Sequence, residues 1–275
     1  MSTNDFKKLP AGEFRKSVLT TDKGRIIDLI NILNFEENTL IITSNDFQDK
    51  IITHLDKYII MDDVKLEKEK RDYSQIMIFG EDLTALAKKL FNIEIVKNKV
   101  SKISNEGFLF TDDFKIDSLN LIFTKENADK FKSILLENNI EEMNCEEYEC
   151  MRIEAGQPEG LNEFNDQINP MECGLDNYIS FTKGCYIGQE VIARLDSQGK
   201  RPKQMVKIKS DSEIAKNDKI FTEDGKETGF VSSSINYNGN IPGLGFIRSV
   251  NLDFNKQYSV EHNNEKFKIY ITKIN

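Results

Sequence analysis

The sequence predicts an α+β fold: ferredoxin-like α/β sandwich subdomains over residues 1–200, followed by a small β-barrel over residues 201–275. Three observations predict it. Between Arg25 and Phe91 strand-like and helix-like runs follow in the order β-β-α-β-β-α. A related succession of short apolar runs and helical spacings occupies residues 93–153. Beyond Pro202 the texture changes to short strands separated by Asp-Gly, Asn-Gly-Asn and Asn-Asn turns, the pattern of a closed antiparallel sheet. The length of 275 residues suits one large or two modest domains at about 100–200 residues each.

Residues 1–24 are polar and carry Pro10-Ala11-Gly12, which reads as loop. Arg25–Leu33 and Thr39–Thr43 are strand candidates joined by the turn-like run 34–38. Asn45 followed by Gln48 resembles a capping box, and Phe47, Ile51, Leu55, Tyr58 and Ile59 then recur at helical spacing. Val64–Glu69 and Gln75–Phe79 read as strands, and Leu83, Leu86, Ala87, Leu90 and Phe91 mark an amphipathic helix. Strands are expected at Ile93–Val96, Gly107–Phe110 and Leu119–Phe123. Ala128, Phe131, Ile134, Leu135 and Asn138 outline another helix. A further helix from about Glu141 to Ile153 stops at Gly156 and Pro158. Residues 159–182 show little periodicity and read as a long loop, which in a compact domain is usually functional. The barrel strands are expected at Gln204–Lys209, Ile220–Thr222, Gly229–Ser234, Leu244–Ser249, Tyr258–Glu261 and Phe267–Ile274.

Composition narrows the function classes. Hydrophobic content of 39% with 30% charged residues describes a globular chain, and no apolar run reaches the ~20 residues that span a bilayer. With no apolar leader after Met1, the expected compartment is the cytoplasm and no membrane partner is expected. Cys145, Cys150, Cys173 and Cys185 are then reduced thiols rather than a disulfide framework. Cys145 and Cys150 lack the C-x2-C spacing of zinc and ferredoxin sites, and His54 and His262 lie far apart, so no permanent metal or cluster is expected. The formal net charge of -9 opposes direct binding of nucleic acid. One basic run, Lys200-Arg201-Pro202-Lys203 with Lys207 and Lys209, goes against that charge and lies close enough to Cys185 to suggest an anionic ligand.

The densest chemistry is the run Lys183-Gly184-Cys185-Tyr186-Ile187-Gly188-Gln189-Glu190. Glycines on both sides of the thiol let the backbone turn sharply and let a ligand approach. The run passes into Gln189–Arg194, which reads as a first helical turn. A thiol ahead of a helix N-terminus, near Lys183 and Arg194, sits in positive potential that favours the thiolate, and this makes Cys185 a candidate nucleophile or soft ligand. On composition alone, a small buried cysteine in a tight loop is the commoner outcome.

The run resembles the K-G-C-Y-x-G-Q-E signature of the YgfZ family of folate-binding proteins, relatives of the aminomethyltransferase (T-protein) of the glycine cleavage system and of mitochondrial iron-sulfur assembly factors. Lys183, Gly184, Cys185, Tyr186, Gly188, Gln189 and Glu190 all match, with Arg194 following. The resemblance implies a T-protein-like fold, tetrahydrofolate as ligand, Cys185 as the functional residue, and iron-sulfur client or assembly proteins as partners, including clients that modify tRNA. In the family an opening strand and helix precede segments like Thr3-Asn4-Asp5 and Thr20–Arg25. That opening is missing here: either the true start lies upstream, or the protein does without the element.

Arg152-Ile153-Glu154-Ala155-Gly156 is similar to the R-x-E-x-G segment in which aminomethyltransferases hold the pterin. Glu154 is therefore the candidate anchor, since a carboxylate accepts two parallel hydrogen bonds from the pterin's amino group and ring N–H. Asn169-Pro170-Met171-Glu172 matches a family loop, with Glu172 the weaker contact. Lys183 is placed to meet the folate's glutamate carboxylate or to favour the thiolate. Tyr186 can stack on a planar ring but is more often core, and Gln189 completes the candidate folate contacts. One departure concerns the aspartate with which aminomethyltransferases handle the folate nitrogen. This chain carries Lys50 there, with Asp46 and Asp49 nearby, which points away from aminomethyl transfer. The leading expectation is an accessory factor in iron-sulfur assembly or repair. The rivals are a folate-dependent aminomethyl or methyl transferase and, ranked last, a tRNA-binding module using Lys200, Arg201 and Lys203.

Overall fold

The computed structural model describes residues 1–61, 63–103, 106–199 and 201–274. The chain forms two compact units, one of residues 5–17 and 30–142, the other of residues 1–4, 18–29 and 143 onward. Both contain mixed α and β structure, and the second contains a closed six-stranded barrel, in keeping with the α+β-plus-barrel expectation.

In the unit built on residues 30–142, an antiparallel sheet has the order β4-β7-β6-β5, with β4 Tyr73–Phe79, β5 Ser101–Ile103, β6 Gly107–Asp112 and β7 Ser118–Thr124. Side chains alternate across a strand, and the two faces are used differently. Leu109, Leu119, Leu121 and Phe123 meet Leu83 and Ala87 of α2 (Leu83–Phe91) and Phe131 and Leu135 of α3 (Ala128–Glu137). The rings of Phe123 and Phe131 stack at 4.6 Å. Phe108, Phe110 and Ile122 face the other way, onto Phe14, Leu33, Leu40 and Ile42. Those four come from β1 Phe14–Thr20, β2 Ile26–Asn34 and β3 Thr39–Ile42, which form a three-stranded sheet.

Four local expectations are corrected. Residues 14–20 are a strand rather than loop, because Phe-Arg-Lys-Ser-Val-Leu-Thr is buried almost throughout, with Lys16 only 9% exposed and paired to Asp112 at 2.5 Å. A buried lysine hid the pattern. Helix α1, Gln48–Asp56, follows Phe47 with no side-chain cap, since Asp46 takes a left-handed φ of 63° that displaces Asn45 from the capping position. Residues 64–69 are not a strand: Val64 is exposed and its charged neighbours have no face to bury. Residues 93–96 are not a strand either; Ile93 and Ile95 cover the helical face of the sheet as coil, and the edge position goes to β5.

The barrel closes as β10-β11-β8-β13-β12-β9. Its strands are β8 Lys203–Ser210, β9 Lys219–Thr222, β10 Glu227–Ser234, β11 Ile241–Arg248, β12 Tyr258–His262 and β13 Glu265–Lys273. Val206, Ile208, Ile220, Val231, Ile247, Val260 and Ile269 fill the interior, and closure leaves no unpaired edge. Helix α4, Cys145–Ala155, lies against β11. Its start is a reciprocal capping box of Asn144 and Glu147, and it ends at Gly156 with φ 75°. No larger residue fits there, because a Cβ on Gly156 would sit 2.9 Å from Ile274. A short 3-10 turn, Pro170–Cys173, and helix α5, Gln189–Ser197, complete the unit. Among the described residues no helix is long and apolar enough to cross a membrane.

Candidate functional site

The signature run bridges residue 182 and α5 as a loop pinned at both ends. At its head the Lys183 ammonium donates to the carbonyls of Ser2 (2.6 Å) and Asn4 (2.7 Å) and lies 5.6 Å from the centre of the Tyr186 ring. Residues 2–4 are themselves fixed. The Thr3 amide donates to Val18 O at 3.1 Å, the Thr3 hydroxyl donates to Tyr178 O at 2.8 Å, and the Ser180 amide donates to Thr3 O at 2.9 Å. At the tail, the Thr20 hydroxyl donates to Ile187 O at 2.6 Å. Gly188, with φ 82°, packs so closely that a Cβ would lie 2.5 Å from Thr21 O and 2.9 Å from Gly24 Cα. Only glycine satisfies both the backbone angle and the contact. Gly184, by contrast, has open space around it.

Between these pins the Cys185 thiol is exposed. It precedes the first residue of α5, Gln189, by four positions. Arg194 lies in the last turn of α5 and is exposed, as is Glu190, while Gln189 is half-buried. Tyr186 points inward. It is 8% exposed and packs with Met171, Ile179 and Ile192. Burial, with a smaller contribution from Asp196, pushes its phenol up to about 12, and the hydroxyl finds no hydrogen-bond partner among the described residues. The other thiols differ in setting. Cys173 is buried and its thiol lies well above the usual range through burial and the charges of Glu163 and Glu172; Cys150 is raised by burial and by Glu154.

On α4 the R-x-E-x-G segment splits into two roles. Glu154 is exposed, and its Oε1 accepts from the Asn240 amide at 2.7 Å. Arg152 is fully buried. Its guanidinium meets Glu149 at 2.6 Å, Glu159 at 3.1 Å, Glu163 at 3.4 Å and the Ser233 hydroxyl at 2.9 Å, and Ser233 in turn donates to Glu163 at 2.7 Å. Ser233 lies at the irregularity in the β10–β11 pairing, so this network ties α4 and the loop after it to the barrel. Among the described residues no hydrogen bond or ion pair joins Glu154 to Cys185.

The loop 165–172 gathers a second set of charges, in which Glu172 and Lys203 are joined by Arg25, a residue that no motif marks as part of a site. Glu172 is 1% exposed, accepts from the Asn169 amide at 2.8 Å and faces Arg25 at 3.8 Å. Arg25 and Lys203 both donate to Gln167 O. Of the basic run, Arg201 is paired with Asp176 at 2.8 Å, Lys203 is taken up as described, and Lys200 lies outside the described residues. The available signal was the alternation of β8, which places Lys203 beside a strand end rather than in a free basic tract. In the other unit, Lys50 is exposed with its ammonium 4.6 Å from the Phe47 ring centre, and Asp49 pairs with Lys68 at 2.7 Å. Among the described residues no group of three His, Cys, Asp or Glu is arranged to hold a metal ion.

No protein-family model matches the chain. It is 26% identical over 245 residues to an aminomethyltransferase of Thermosipho melanesiensis, covering 84% of this chain and 66% of that enzyme. A putative chloroplastic transferase of Arabidopsis thaliana is 27% identical over 269 residues, covering 90% of this chain and 59% of the relative. An uncharacterised protein of Haemophilus influenzae is 24% identical over 269 residues, covering 93% and 83%. The chain thus spans about two-thirds of the length of the aminomethyltransferases it resembles. Among solved structures, the glycine cleavage system aminomethyltransferase T of Bartonella henselae shares the fold, with a TM-score of 0.85 over 99% of this chain and 78% of that one, at 14% identity.

Proposed function

We propose that this chain is a folate-binding accessory protein of the YgfZ type, in which Cys185 performs thiol chemistry beside a bound tetrahydrofolate in support of iron-sulfur cluster assembly or repair in client enzymes, tRNA-modifying ones among them. The observation that carries the proposal is the mounting of Cys185: an exposed thiol on a loop fixed by Ser2, Asn4, Thr20 and Gly24. A structural cysteine has no need of such a mount. A nucleophile or a transient ligand to iron does, because reactivity demands both access and a set position. The fold and the similarity to aminomethyltransferases support a folate as the companion ligand. Glu154 fits the role of pterin anchor: it is exposed, and its Oε2 accepts nothing among the described residues. Gln189 is half-buried at the start of α5, and Tyr186 supports the loop from below. When bound, tetrahydrofolate supplies a nitrogen that carries a one-carbon unit; the chain's own residues hold it and present the thiol.

The test is genetic and direct. Cys185→Ser is expected to keep folate binding but to lose complementation of a strain lacking its own homologue; full complementation by the variant would remove the thiol from the mechanism. Glu154→Ala is expected to weaken folate binding without lowering thermal stability, measured by calorimetry because the chain contains no Trp. The similarity to named transferases favours a second reading, folate-dependent one-carbon transfer. Turnover of a methylene-folate donor that survives Cys185→Ala selects that reading. The tRNA-binding alternative loses ground, since Arg201 is paired with Asp176 within the protein.

A further inference from the structure

Two cations of the barrel-containing unit share one backbone carbonyl, and a third is paired with one of them across the barrel sheet. Arg25 Nη1 donates to Gln167 O at 3.0 Å and Lys203 Nζ donates to the same oxygen at 3.1 Å. Arg248 stands directly opposite Lys203 in the β11–β8 ladder, where paired residues have Cβ atoms about 4.5–5.5 Å apart. The acid in their midst is Glu172. One of its oxygens takes the Asn169 amide, and the other is buried with no hydrogen-bond partner among the described residues. Three positive charges against one negative leave a surplus of two.

That surplus sits in a chain whose formal net charge is -9, and its cost falls on Lys203. Burial lowers that ammonium's pKa first, Glu172 and Cys173 oppose the shift, and Arg25 and Arg248 add to it by like-charge repulsion. Donors remain unspent. A guanidinium offers five N–H groups and an ammonium three. The Arg248 side chain is exposed and makes no hydrogen bond or ion pair among the described residues, and Arg25 is 38% exposed. The Phe230 ring, 5.6 Å from Lys203 Nζ, supplies an apolar floor. Repulsion of this kind is relieved by an anion that accepts from several donors at once.

The geometry points to an oxyanion site formed by Arg25, Lys203 and Arg248, which takes a phosphoryl or carboxylate group of a ligand. Two sources supply that chemistry, free phosphate and the carboxylates of an oligo-γ-glutamyl tail; the second rests on the folate reading and the first does not. The full chain is titrated calorimetrically, at matched ionic strength, with inorganic phosphate in one arm and tri-γ-glutamate in the other. At least one probe binds saturably. Arg248→Ala, whose lost side chain faces solvent, and Lys203→Met each weaken it by about tenfold or more, the factor that ~1.4 kcal/mol represents. Binding of phosphate alone assigns a phosphoryl ligand, and binding of the glutamyl probe assigns the tail. If neither probe binds, or if the Arg248→Ala variant, folded by circular dichroism, binds as the parent does, the site is overturned. Affinity for monoglutamyl tetrahydrofolate, measured on the same samples, separates the two readings: its loss in the parent refutes the folate reading and leaves the phosphate result standing.

Discussion

Deleting one oxygen, in Tyr186→Phe, tests how the signature loop is anchored. The Tyr186 ring is 8% exposed in an apolar cluster, and its hydroxyl is buried with no hydrogen-bond partner among the described residues. A polar group buried in that way costs about 1–3 kcal/mol. Phenylalanine keeps the ring, its packing on Met171, Ile179 and Ile192, and the approach of the Lys183 ammonium. The variant is therefore expected to be more stable than the parent by about 1 kcal/mol at neutral pH. A pH signature follows from the same burial, which raises the phenol from 10.0 to about 12. Within that window the native state holds a proton that the unfolded chain releases. The tyrosine's contribution, fully present below 10, is lost as pH rises through the folded value. Phenylalanine has no such term, so the variant's advantage grows between pH 10 and 12. Urea midpoints at pH 7.5, 10.5 and 11.5 read the stability, and absorbance at 295 nm should show one fewer late-ionising phenol, with Tyr148, also raised to about 12 by burial, remaining. A Tyr186→Phe protein less stable than the parent at pH 7.5 would refute the reasoning, because it would mean that the hydroxyl is bonded.

Arg152→Leu leaves Glu149, Glu159 and Glu163 facing one another. It should cost about 3–5 kcal/mol in denaturant titrations, with the deficit shrinking on acidification as the carboxylates protonate. Gly188→Ala forces a left-handed residue worth about 1–2 kcal/mol and drives a Cβ to 2.5 Å from Thr21 O, so its melting temperature should fall sharply. Gly184→Ala, with nothing within 4 Å, should stay within about 0.5 kcal/mol of the parent, and equal effects at the two positions would show that the loop is not pinned asymmetrically. Lys183→Met removes the donor to Ser2 O and Asn4 O, charge-assisted bonds worth about 1.5–3 kcal/mol each. Amide exchange at Ser180 and Val18, which donate to Thr3, should accelerate by about tenfold or more. Brief alkylation should label Cys185 and Cys145, the two exposed thiols, and reach Cys150 and Cys173 only on unfolding; early labelling of Cys173 would contradict its burial.

Where periodicity and burial agree, the fold was legible. The helices around Leu83–Phe91 and Ala128–Glu137 and the barrel strands lie where alternation and turn residues put them. The misses have separate causes. In β1 a buried ion pair, Lys16 with Asp112, makes an interior strand read as polar loop. At residues 93–96 the alternation is real but covers helices as coil. The signature run declared its thiol by composition, yet nothing local in it announces that Lys183 reaches residues 2 and 4, or that Gly188 is fitted against Gly24. The charges around Gln167 were illegible for the same reason. Arg25, Gln167, Lys203 and Arg248 are brought together by strand pairing and a loop, not by any spacing in the sequence.

This has a consequence for how the thiol is positioned. Most acceptors that fix the loop are backbone carbonyls, those of Ser2, Asn4 and Ile187. A carbonyl is present whatever the side chain, so the mount constrains the path of three segments, residues 2–4, 18–24 and 183–188, more than it constrains their identity. Only a few side chains are then strictly required: Lys183 to span the head, Thr20 to hold the tail, Gly188 to fit, and Tyr186 to fill the space beneath. Cys185 is not among them, since no contact that holds the loop uses its sulfur. A residue free of structural duty at an open point of a fixed loop is where reactivity can be placed without cost to the fold, which is why Cys185→Ser should separate function from stability while Gly188→Ala should not.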